Sequence, residues 1–329
     1  MTYKPPYEIT NRMLNQIASI MKLVGQFTAS IQLDKRPLLR RTNKVRSIYS
    51  SLAIENNRLT ENQVQDIING KLVIGPQKDI LEVKNAIKVY DQIQNINPFR
   101  ENDILKYHGI MMESLIPDAG KYRIGQVGVL DGDKVIFIAP PSERVPSLMR
   151  DLYEYLNEYE ENILIKSSVF HYEFEIIHPF SDGNGRMGRL FQTCLLSSEE
   201  EIFTFLPIES IIKQHQQKYY DTISACNKEG NSNRFIEFML DAIQETLMTT
   251  LNMTNEVTSW LSIQARKLYE LMEVDVPYTR QELMNQCEIK SIASFKKNYI
   301  DPLLDSNLIE MTIPDKPNSR NQRYVKKKR

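Results

Sequence analysis

The chain has 329 residues, 41% of them hydrophobic and 25% charged, so it can hold two or three domains with sizeable cores. Its 41 basic residues nearly balance 42 acidic ones, which excludes an overall charge preference for nucleic acid or anionic membranes. Three widely spaced cysteines argue against a disulfide framework, and no apolar run reaches membrane-spanning length. We therefore expect a cytoplasmic protein with no membrane partner.

The N-terminal third is predicted to be helical. Apolar residues recur at helical spacing in its first segment, at Ile9, Met13, Ile17, Met21 and Val24. In the next helical pattern Ser51 and Glu55 would share one face, since they stand four residues apart. Thr60 with Gln63 three residues later is typical of a helix start. Taken alone, Glu55 indicates only a solvated glutamate near a helix end.

Residues 126–138 change to strand-like alternation and predict a β-hairpin. Its second strand contains Val135, Ile136 and Phe137, and Asp131-Gly132-Asp133 provides the turn. An isolated hairpin is marginal in water unless something packs on it or uses it. The residues alone leave both uses open.

The densest group of reactive side chains is the run His178-Pro179-Phe180-Ser181-Asp182-Gly183-Asn184-Gly185-Arg186-Met187-Gly188-Arg189. Apolar residues after it predict a buried helix that begins at about Asn184 or Gly185. The N-terminus of such a helix binds anions, and the glycines let the backbone approach a ligand closely. Phe180 is expected to point inward and anchor the loop.

The charged side chains of this run favour chemistry on a nucleoside polyphosphate. Arg186 and Arg189 stand three residues apart on one helix face, where both can reach an extended polyphosphate. Asp182 could hold a hard cation that bridges phosphate oxygens, and His178 is the one imidazole of the run. The alternative interpretation is a glycine-rich turn with a solvated arginine pair and a core histidine.

Two further features, a His–Glu pair and a pair of tyrosines, are interpreted as structural. His171 and Glu175 stand one helical turn apart and resemble half a metal site, but no third ligand is placed nearby. We expect packing or a hydrogen bond to the loop instead. Tyr219 and Tyr220 are expected to be core tyrosines by default.

After about residue 255 the pattern restarts as three helices and two strands. One helix is predicted at 260–271, a second begins after a cap at Thr279, and a third is predicted at 291–304. The two strands are predicted at 308–313 and 322–325. This order, with a basic tail, resembles a winged helix-turn-helix. Lys296 and Lys297 are the basic residues of the third helix, so DNA binding and protein interaction both stay open.

Residues 178–189 match the signature of the Fic family, HPFx(D/E)GNGRxxR, at every specified position. Residues 51–56 are similar to the family's (S/T)xxxE(G/N) inhibitory motif, and the hairpin lies where Fic proteins carry a flap. The resemblance implies a mainly α fold: a Fic-type helical bundle with a β-hairpin flap, plus a small C-terminal winged helix-turn-helix domain. It divides the chain into an N-terminal helical region with the inhibitory helix, the Fic core and the winged helix, at 1–95, 96–250 and 255–329.

The resemblance also implies a protein adenylyltransferase, which transfers AMP from ATP to a Ser, Thr or Tyr hydroxyl of a target protein. His178 would be the general base, and Asp182 would hold Mg²⁺. The nucleotide phosphates would be bound by Gly183, Asn184, Gly185, Arg186 and Arg189. Kinase-type relatives have Lys at the position of Gly185, so the adenylylating subgroup is favoured.

By the same resemblance, control and docking lie outside the signature. Glu55, with Ser51 in its motif, would pair with Arg189 and obstruct the γ-phosphate, whereas Arg186 takes the β-phosphate. The flap residues Val135, Ile136 and Phe137 would hold the target by strand addition. A tyrosine near 219–220 would stand near the adenine, and Gly120, Tyr122 and Arg123 would lead into the flap.

Three alternatives remain. Glu55 could orient a water, so that the protein removes AMP as well as adding it. The chain could be a DNA-binding regulator that acts through residues 255–329, with the Fic site as its control element. It could also be a non-catalytic scaffold, which the intact His178 argues against. The target is unidentified, and self-modification and a homodimer are further expectations.

Overall fold

The protein is mainly helical. The structure, a computed structural model, describes residues 3–30, 37–131, 134–256, 262–305, 308–317 and 319–327. The backbone alone is described at 29–30, 37–39, 128–131, 134–138 and 252–256. The chain divides into two compact units, Met1–Gln26 with Asn43–Met248, and Phe27–Thr42 with Thr249–Arg329. The domain boundaries expected from the sequence stay a prediction.

Helices make up most of the described chain before residue 257. They are α1 (Asn11–Ser30), α2 (Pro37–Ile54), α3 (Glu61–Ile68), α4 (Gln77–Tyr90), α5 (Glu101–Met111), α6 (Val145–Glu158), α7 (Ile163–Ile177), α8 (Asn184–Ser197), α9 (Ile208–Gln214), α10 (Gln216–Glu229) and α11 (Asn233–Glu256). Short 3₁₀ turns lie at Ile93–Asn95, Ser142–Arg144 and Glu201–Phe205. None of the helices in the described part of the chain is long and apolar enough to cross a bilayer.

A single hairpin interrupts the helices between α5 and α6. Strand β1 (Gly128–Asp131) pairs antiparallel with β2 (Lys134–Ile138), and the register shifts between Val129 and Leu130. The predicted turn includes residues 132 and 133, which lie outside the described residues. The helical bundle with its hairpin confirms the predicted fold class.

Helices α7 and α8 form the centre of the larger unit. Helix α7 is buried on nearly all sides, including its polar residues. Phe170 of α7 stacks on Phe174 and on Phe191 of α8, with ring centroids 5.7 and 6.3 Å apart. Burying each of these rings contributes about 2 kcal/mol. The six residues that join α7 to α8 therefore connect two firmly packed helices.

The apolar stripe predicted for the first helix is partly wrong. Ile9 and Met21 are 53% and 41% exposed, because the helix begins only at Asn11 and turns a different face inward. The buried face runs through Met13, Gln16, Ile20, Val24 and Phe27. Gln16 occupies a buried position on this face although it is polar, because its side-chain Nε2 donates to the Glu237 carbonyl at 3.1 Å.

The C-terminal unit combines short helices with a three-stranded sheet. Its helical segments are α12 (Ile263–Leu271), α13 (Arg280–Gln286), α14 (Ile292–Phe295), a π-helical turn at Lys296–Ile300 and α15 (Asp301–Asp305). Strands β3 (Pro277–Thr279), β4 (Ile309–Met311) and β5 (Arg323–Lys326) form an antiparallel sheet in the order β3-β5-β4. Helices and strands enclose one apolar cluster. This arrangement agrees with the predicted winged helix.

Two details of this unit differ from the prediction. Tyr278 lies in strand β3, which the sequence did not predict, and not in a helix start. Thr279 does cap α13, in a reciprocal capping box with Glu282. Trp260, predicted to belong to the first helix of the unit, lies outside the described residues.

Candidate functional site

The loop from His178 to Gly183 reverses the chain between α7 and α8 at two left-handed residues. His178 has φ 49° and ψ 61°, and its N–H caps α7 by donating to the Phe174 carbonyl at 2.9 Å. Gly183 has φ 86° at the N-cap of α8, and a Cβ there would come within 2.8 Å of Met112 Sδ. Only glycine meets both conditions easily, so the sequence fixes this turn at one position.

Arg123 holds the loop and the base of the hairpin together. It is 3% exposed, and its Nε donates to the carbonyl of His178 at 2.7 Å. Nη1 donates to Gly125 and Nη2 to Pro140, at 2.9 and 2.6 Å, on the two sides of the hairpin. Burial lowers the pKa of Arg123, and Glu143 opposes this shift. One guanidinium thus sets the hairpin base relative to the end of α7.

The side chain of Asn184 is used inside the loop. Its Oδ1 accepts from the Phe180 N–H and its Nδ2 donates to the Phe180 carbonyl, both at 2.9 Å. Phe180 itself is fully buried, which confirms its predicted inward position. Phosphate binding by Asn184 stays a prediction and would use the backbone N–H, since the amide side chain is occupied.

His108 of α5 is a loop contact that the sequence did not indicate. Its ring stacks on Phe180 at a centroid distance of 3.6 Å. Nδ1 accepts from the Gly120 N–H at 2.9 Å, so Nε2 carries the proton and donates to the Asp182 carbonyl at 3.0 Å. Burial lowers the pKa of His108 to about 4, although the bond to Asp182 opposes the shift. A neutral imidazole therefore supports the loop.

Arg186 lies between two carboxylates. Its Nη2 is 2.7 Å from Asp182 Oδ1 and its Nη1 is 3.6 Å from Glu82 Oε1. The side chain is 4% exposed, and Nε has no hydrogen-bond acceptor among the described residues. A buried guanidinium with an unused donor fits a site that takes a further anion.

A divalent cation at Asp182 would depend on a ligand for most of its shell. The Asp182 side chain is 45% exposed, and its Oδ1 accepts from the Gly183 N–H at 2.5 Å. No cluster of three or more histidine, cysteine or acidic ligands occurs in the described ranges. Mg²⁺ is often held by one carboxylate together with substrate phosphates and waters, so this site fits that ion only beside a polyphosphate.

The first turn of α8 has N–H groups available for an anion. Gly183 occupies the N-cap position and supplies no capping side chain. The first intrahelical bond runs from Met187 N–H to Gly183 O, at 3.1 Å. The N–H groups of Asn184, Gly185 and Arg186 therefore lack helical partners and lie at the positive end of the helix.

The predicted partners Glu55 and Arg189 are in contact. Glu55 Oε1 is 2.8 Å from Arg189 Nη2, and the Arg189 side chain is 1% exposed. Ser51 adds two bonds, because its Oγ accepts from Nε at 3.1 Å and its carbonyl from Nη2 at 2.9 Å. Burial lowers the pKa of Arg189, but Glu55, Tyr219 and Glu175 outweigh it and raise the pKa overall.

The Glu55 carboxylate also covers the start of α8. A Cβ built on Gly185 would overlap Glu55 Oε1 and approach Arg189 Nη1 to 2.9 Å. Glu55 is thus a carboxylate placed at the anion-binding end of a helix, bonded to one of the two arginines predicted to bind phosphate. An anion at this position would meet like charge.

The imidazole of His178 is half-buried, and one of its two nitrogens contacts the backbone of α7. Nδ1 lies 3.3 Å from the Glu175 carbonyl, which can only accept, so Nδ1 carries the proton. Nε2 is then the unprotonated nitrogen of the neutral ring, ready to accept a proton.

His171 and Glu175 belong to a buried hydrogen-bond network. His171 Nδ1 contacts Gln192 Oε1 at 2.6 Å, and Nε2 contacts the Tyr219 hydroxyl at 3.0 Å. The pKa of Glu175 is lowered: burial acts to raise it, but His171, His178 and Arg189 outweigh burial. These partners satisfy His171 without a metal. Tyr219 is buried, as predicted for a core tyrosine, whereas Tyr220 is 40% exposed, so the prediction is wrong for Tyr220.

The remaining predicted residues lie in the hairpin. Val135, Ile136 and Phe137 belong to β2, and their backbone pairs with β1. Their side chains are outside the description, so target docking stays a prediction.

The sequence did not indicate His108 or Glu82. Each is an ordinary residue of an amphipathic helix, without a motif around it. Only the packing of α4 and α5 brings them to the 178–189 loop.

Comparisons with known proteins agree with this geometry. The Fic/DOC family pattern matches residues 83–196, and the C-terminal domain pattern of "filamentation induced by cAMP protein Fic-like" matches residues 263–325. A Fic family protein from Desulfovibrio desulfuricans G20 is 37% identical, with a TM-score of 0.76 over 99% of both chains. The Caenorhabditis elegans protein Fic-1 (residues 134–508), 20% identical with a TM-score of 0.62, shares the fold over 75% of this chain and 74% of its own.

The chain therefore belongs to the Fic family. Two relatives named protein adenylyltransferase Fic, from Culex quinquefasciatus and Aedes aegypti, are each 30% identical to it over 70% and 71% of its length. The chain spans about half the length of these relatives, 46% and 48%.

Proposed function

We propose that this protein is a protein adenylyltransferase that transfers AMP from ATP to a hydroxyl of a target protein, and that Glu55 restrains it. The observation that carries the proposal is the position of the Glu55 carboxylate. It lies over the first turn of α8 and bonds to Arg189 at 2.8 Å, in the place of an anion. The names of the curated relatives support the same activity.

His178 is the proposed general base. Its Nδ1–H is turned to the Glu175 carbonyl, so Nε2 would take the proton from the acceptor hydroxyl. The hydroxyl oxygen forms a bond to the α-phosphorus, the bond from that phosphorus to the bridging oxygen breaks, and pyrophosphate leaves. The bond from Arg123 to the His178 carbonyl keeps the end of α7 in place during this step.

The start of α8 is the proposed phosphate site. The N–H groups of Gly183, Asn184 and Gly185 would face the α-phosphate, Arg186 the β-phosphate and Arg189 the γ-phosphate. The Gly183 N–H first has to leave Asp182, which it contacts in this state. Asp182 would hold Mg²⁺, which supplies charge neutralisation for the leaving pyrophosphate.

The Glu55–Arg189 pair makes the described state a restrained one. Arg189 is buried and already bonded to Ser51 and Glu55, so a γ-phosphate would have to displace a carboxylate. Losing a charge-assisted bond from the phosphate costs about 1.5–3 kcal/mol, enough to change ATP affinity by more than tenfold.

Labelling with radioactive ATP tests the activity and its restraint together. The parent, Glu55→Gly and Glu55→Gly/His178→Ala proteins are each incubated with labelled ATP and Mg²⁺ in a lysate. Glu55→Gly should increase labelling at least tenfold, and His178→Ala should abolish it. His215→Ala, at a partly exposed histidine paired with Glu245, is the control and should leave labelling unchanged.

The outcomes separate the parts of the proposal. Labelling that survives His178→Ala would exclude His178 as the base. Equal labelling of parent and Glu55→Gly would exclude restraint by Glu55 but leave the activity standing. Label from the α-phosphate and none from the γ-phosphate is required for AMP transfer; the reverse would indicate a kinase.

Other expectations remain predictions of the sequence. They are removal of AMP with help from Glu55, self-modification, DNA binding by residues 255–329, a homodimer and a cytoplasmic location. Lys296 and Lys297, in the π-helical turn that follows α14, are exposed, as nucleic-acid contact would require.

A further inference from the structure

Glu82 contacts both the turn after Glu55 and one of the arginines predicted to bind phosphate. Its Oε2 accepts from Asn57 Nδ2 at 2.8 Å, and its Oε1 lies 3.6 Å from Arg186 Nη1. The Glu82 side chain is 10% exposed and that of Arg186 is 4% exposed. A buried carboxylate is stable only with such partners, so the positions of all three side chains depend on one another.

The turn that ends α2 is closed by backbone bonds from Glu55 and Asn57 to Leu52 O and from Asn56 to Ala53 O. Asn57 N–H donates to Leu52 O at 3.1 Å, and Asn56 has a φ of 63°. Beyond the helix, Asn57 Nδ2 also donates to the carbonyl of Asp79 at 3.1 Å. Residues of α4 therefore hold the segment two positions after Glu55, and Glu82 is the one among them that also contacts the arginine.

Glu82 and Asp182 restrict the guanidinium of Arg186 from two sides. Each carboxylate takes a different terminal nitrogen, and this fixes the plane in which the group lies. Nε makes no hydrogen bond among the described residues, and Nη1 has the 3.6 Å ion pair with Glu82, so both nitrogens keep donor capacity for a further anion. Without Glu82, the guanidinium could rotate, and its donors would no longer be set for a phosphate.

We propose that Glu82 is a positioning residue that orients Arg186 for the nucleotide and ties this orientation to the turn that follows Glu55. The proposal rests on the proposed adenylyltransferase function for its kinetic consequences. The connection from Asn57 through Glu82 to Arg186 does not depend on that function. The inhibitory segment is thereby linked to both arginines, directly to Arg189 and through Glu82 to Arg186.

Kinetics in the Glu55→Gly background test the positioning role. Glu82→Gln, which keeps the shape and removes the charge, should raise the KM for ATP roughly tenfold, the scale of one charge-assisted bond, with kcat nearly unchanged. Asn57→Ala should raise the KM by less, and the double variant should match Glu82→Gln alone, since both act through one carboxylate. Lys78→Ala is the control, because Lys78 approaches Glu82 at 4.0 Å from an exposed position.

Two kinetic results would overturn the proposal. A lower KM in Glu82→Gln would mean that Glu82 competes with phosphate for Arg186. Fully additive effects of Asn57→Ala and Glu82→Gln would mean that Asn57 does not act through Glu82.

Amide hydrogen exchange of the nucleotide-free parent tests the connection without any activity. Asn57→Ala and Glu82→Gln should each speed exchange of the Glu55, Asn56 and Asn57 N–H groups several-fold, whereas Lys78→Ala should not. Unchanged exchange in both variants would refute the connection even in an active enzyme. Faster exchange in a protein that transfers no AMP would refute the proposed function and leave the connection standing.

Discussion

Gly185 lies directly beneath the carboxylate of Glu55. A Cβ at position 185 would overlap Glu55 Oε1 and approach Arg189 Nη1 to 2.9 Å. The absence of a side chain at 185 is therefore a condition for the Glu55–Arg189 pair. The glycine of the signature and the glutamate of the distant helix fit one another, although they stand 130 positions apart in the sequence.

Gly185→Ala should weaken this pair. We expect the free energy of unfolding to fall by about 1–3 kcal/mol, because the new methyl group forces Glu55 out of place. In the Glu55→Gly background, Gly185→Ala should lower the free energy of unfolding by about 1–2 kcal/mol less than in the parent. The reason is that the Glu55 carboxylate, one of the two groups near the new methyl group, is absent. Urea denaturation of the four proteins in this cycle measures the coupling. Equal costs in both backgrounds would show that Gly185 and Glu55 do not interact.

Arg123→Lys should loosen the hairpin. A lysine ammonium cannot reach the carbonyls of Gly125, Pro140 and His178 together, as the forked guanidinium does. We expect a loss of about 2–4 kcal/mol in unfolding free energy and faster amide exchange in β1 and β2. Arg144→Lys, at an exposed position near the same hairpin base, serves as the matched control. Exchange that stays at the parent rate would contradict the anchoring role.

His108 should make stability fall in acid. Its pKa is lowered by burial from 6.5 to about 4, so the unfolded chain binds the proton more readily between these values. The contribution is complete above pH 6.5, and it is lost as the pH falls to about 4. The loss amounts to about 3 kcal/mol. Near the imidazole, Arg186 lowers the pKa further, whereas Asp118 and Asp182 raise it.

Comparing parent and His108→Gln by urea denaturation across pH 4 to 7 measures this contribution. The variant should be less stable at pH 7, and its stability should fall less steeply with acid than that of the parent. His215→Gln, which alters a histidine with a 40% exposed side chain, is the control. Parallel curves for parent and His108→Gln would rule out the titration of His108.

Glu173 should make the free energy of unfolding fall as the pH rises, the reverse of the effect of His108. Burial raises its pKa from 4.5 to about 7, although the Tyr3 hydroxyl, 3.4 Å away, acts to lower it. The folded state therefore holds the proton more tightly, and the stability present below pH 4.5 is lost as the pH rises through 7. We expect a loss of about 3 kcal/mol by pH 8, absent in Glu173→Gln. A variant that loses as much stability as the parent between pH 5 and 8 would contradict this assignment.

Local signals in the sequence predicted the elements well where one physical cause dominates. The alternation at 126–138 gave the hairpin, and the apolar spacing after Gly183 gave the start of α8. The spacing of Arg186 and Arg189 predicted that both side chains lie near the start of α8, because positions three apart in one helix share a face. Thr279 and Thr60 could be predicted as caps because a capping box is complete within four residues.

The misses share a different cause. Strand β3 is three residues long and pairs with β5, far along the chain. Ile9 and Met21 have the right spacing but the wrong face, since a buried Gln16 satisfied by α11 is invisible to an apolar pattern. Glu82 and His108 gain their contacts through the packing of α4 and α5. Long-range packing decided each of these positions, and local sequence does not encode it.

The order of strands in the C-terminal sheet sets the sequence of events during synthesis. Strand β5 lies between β3 and β4, yet it is the last of the three to be made. Until it arrives, the two earlier strands have no hydrogen-bond partner in the sheet and expose unpaired edges. A nascent or prematurely terminated chain that stops before Arg323 would present these edges to other molecules, and we expect it to be a substrate for chaperones and proteases.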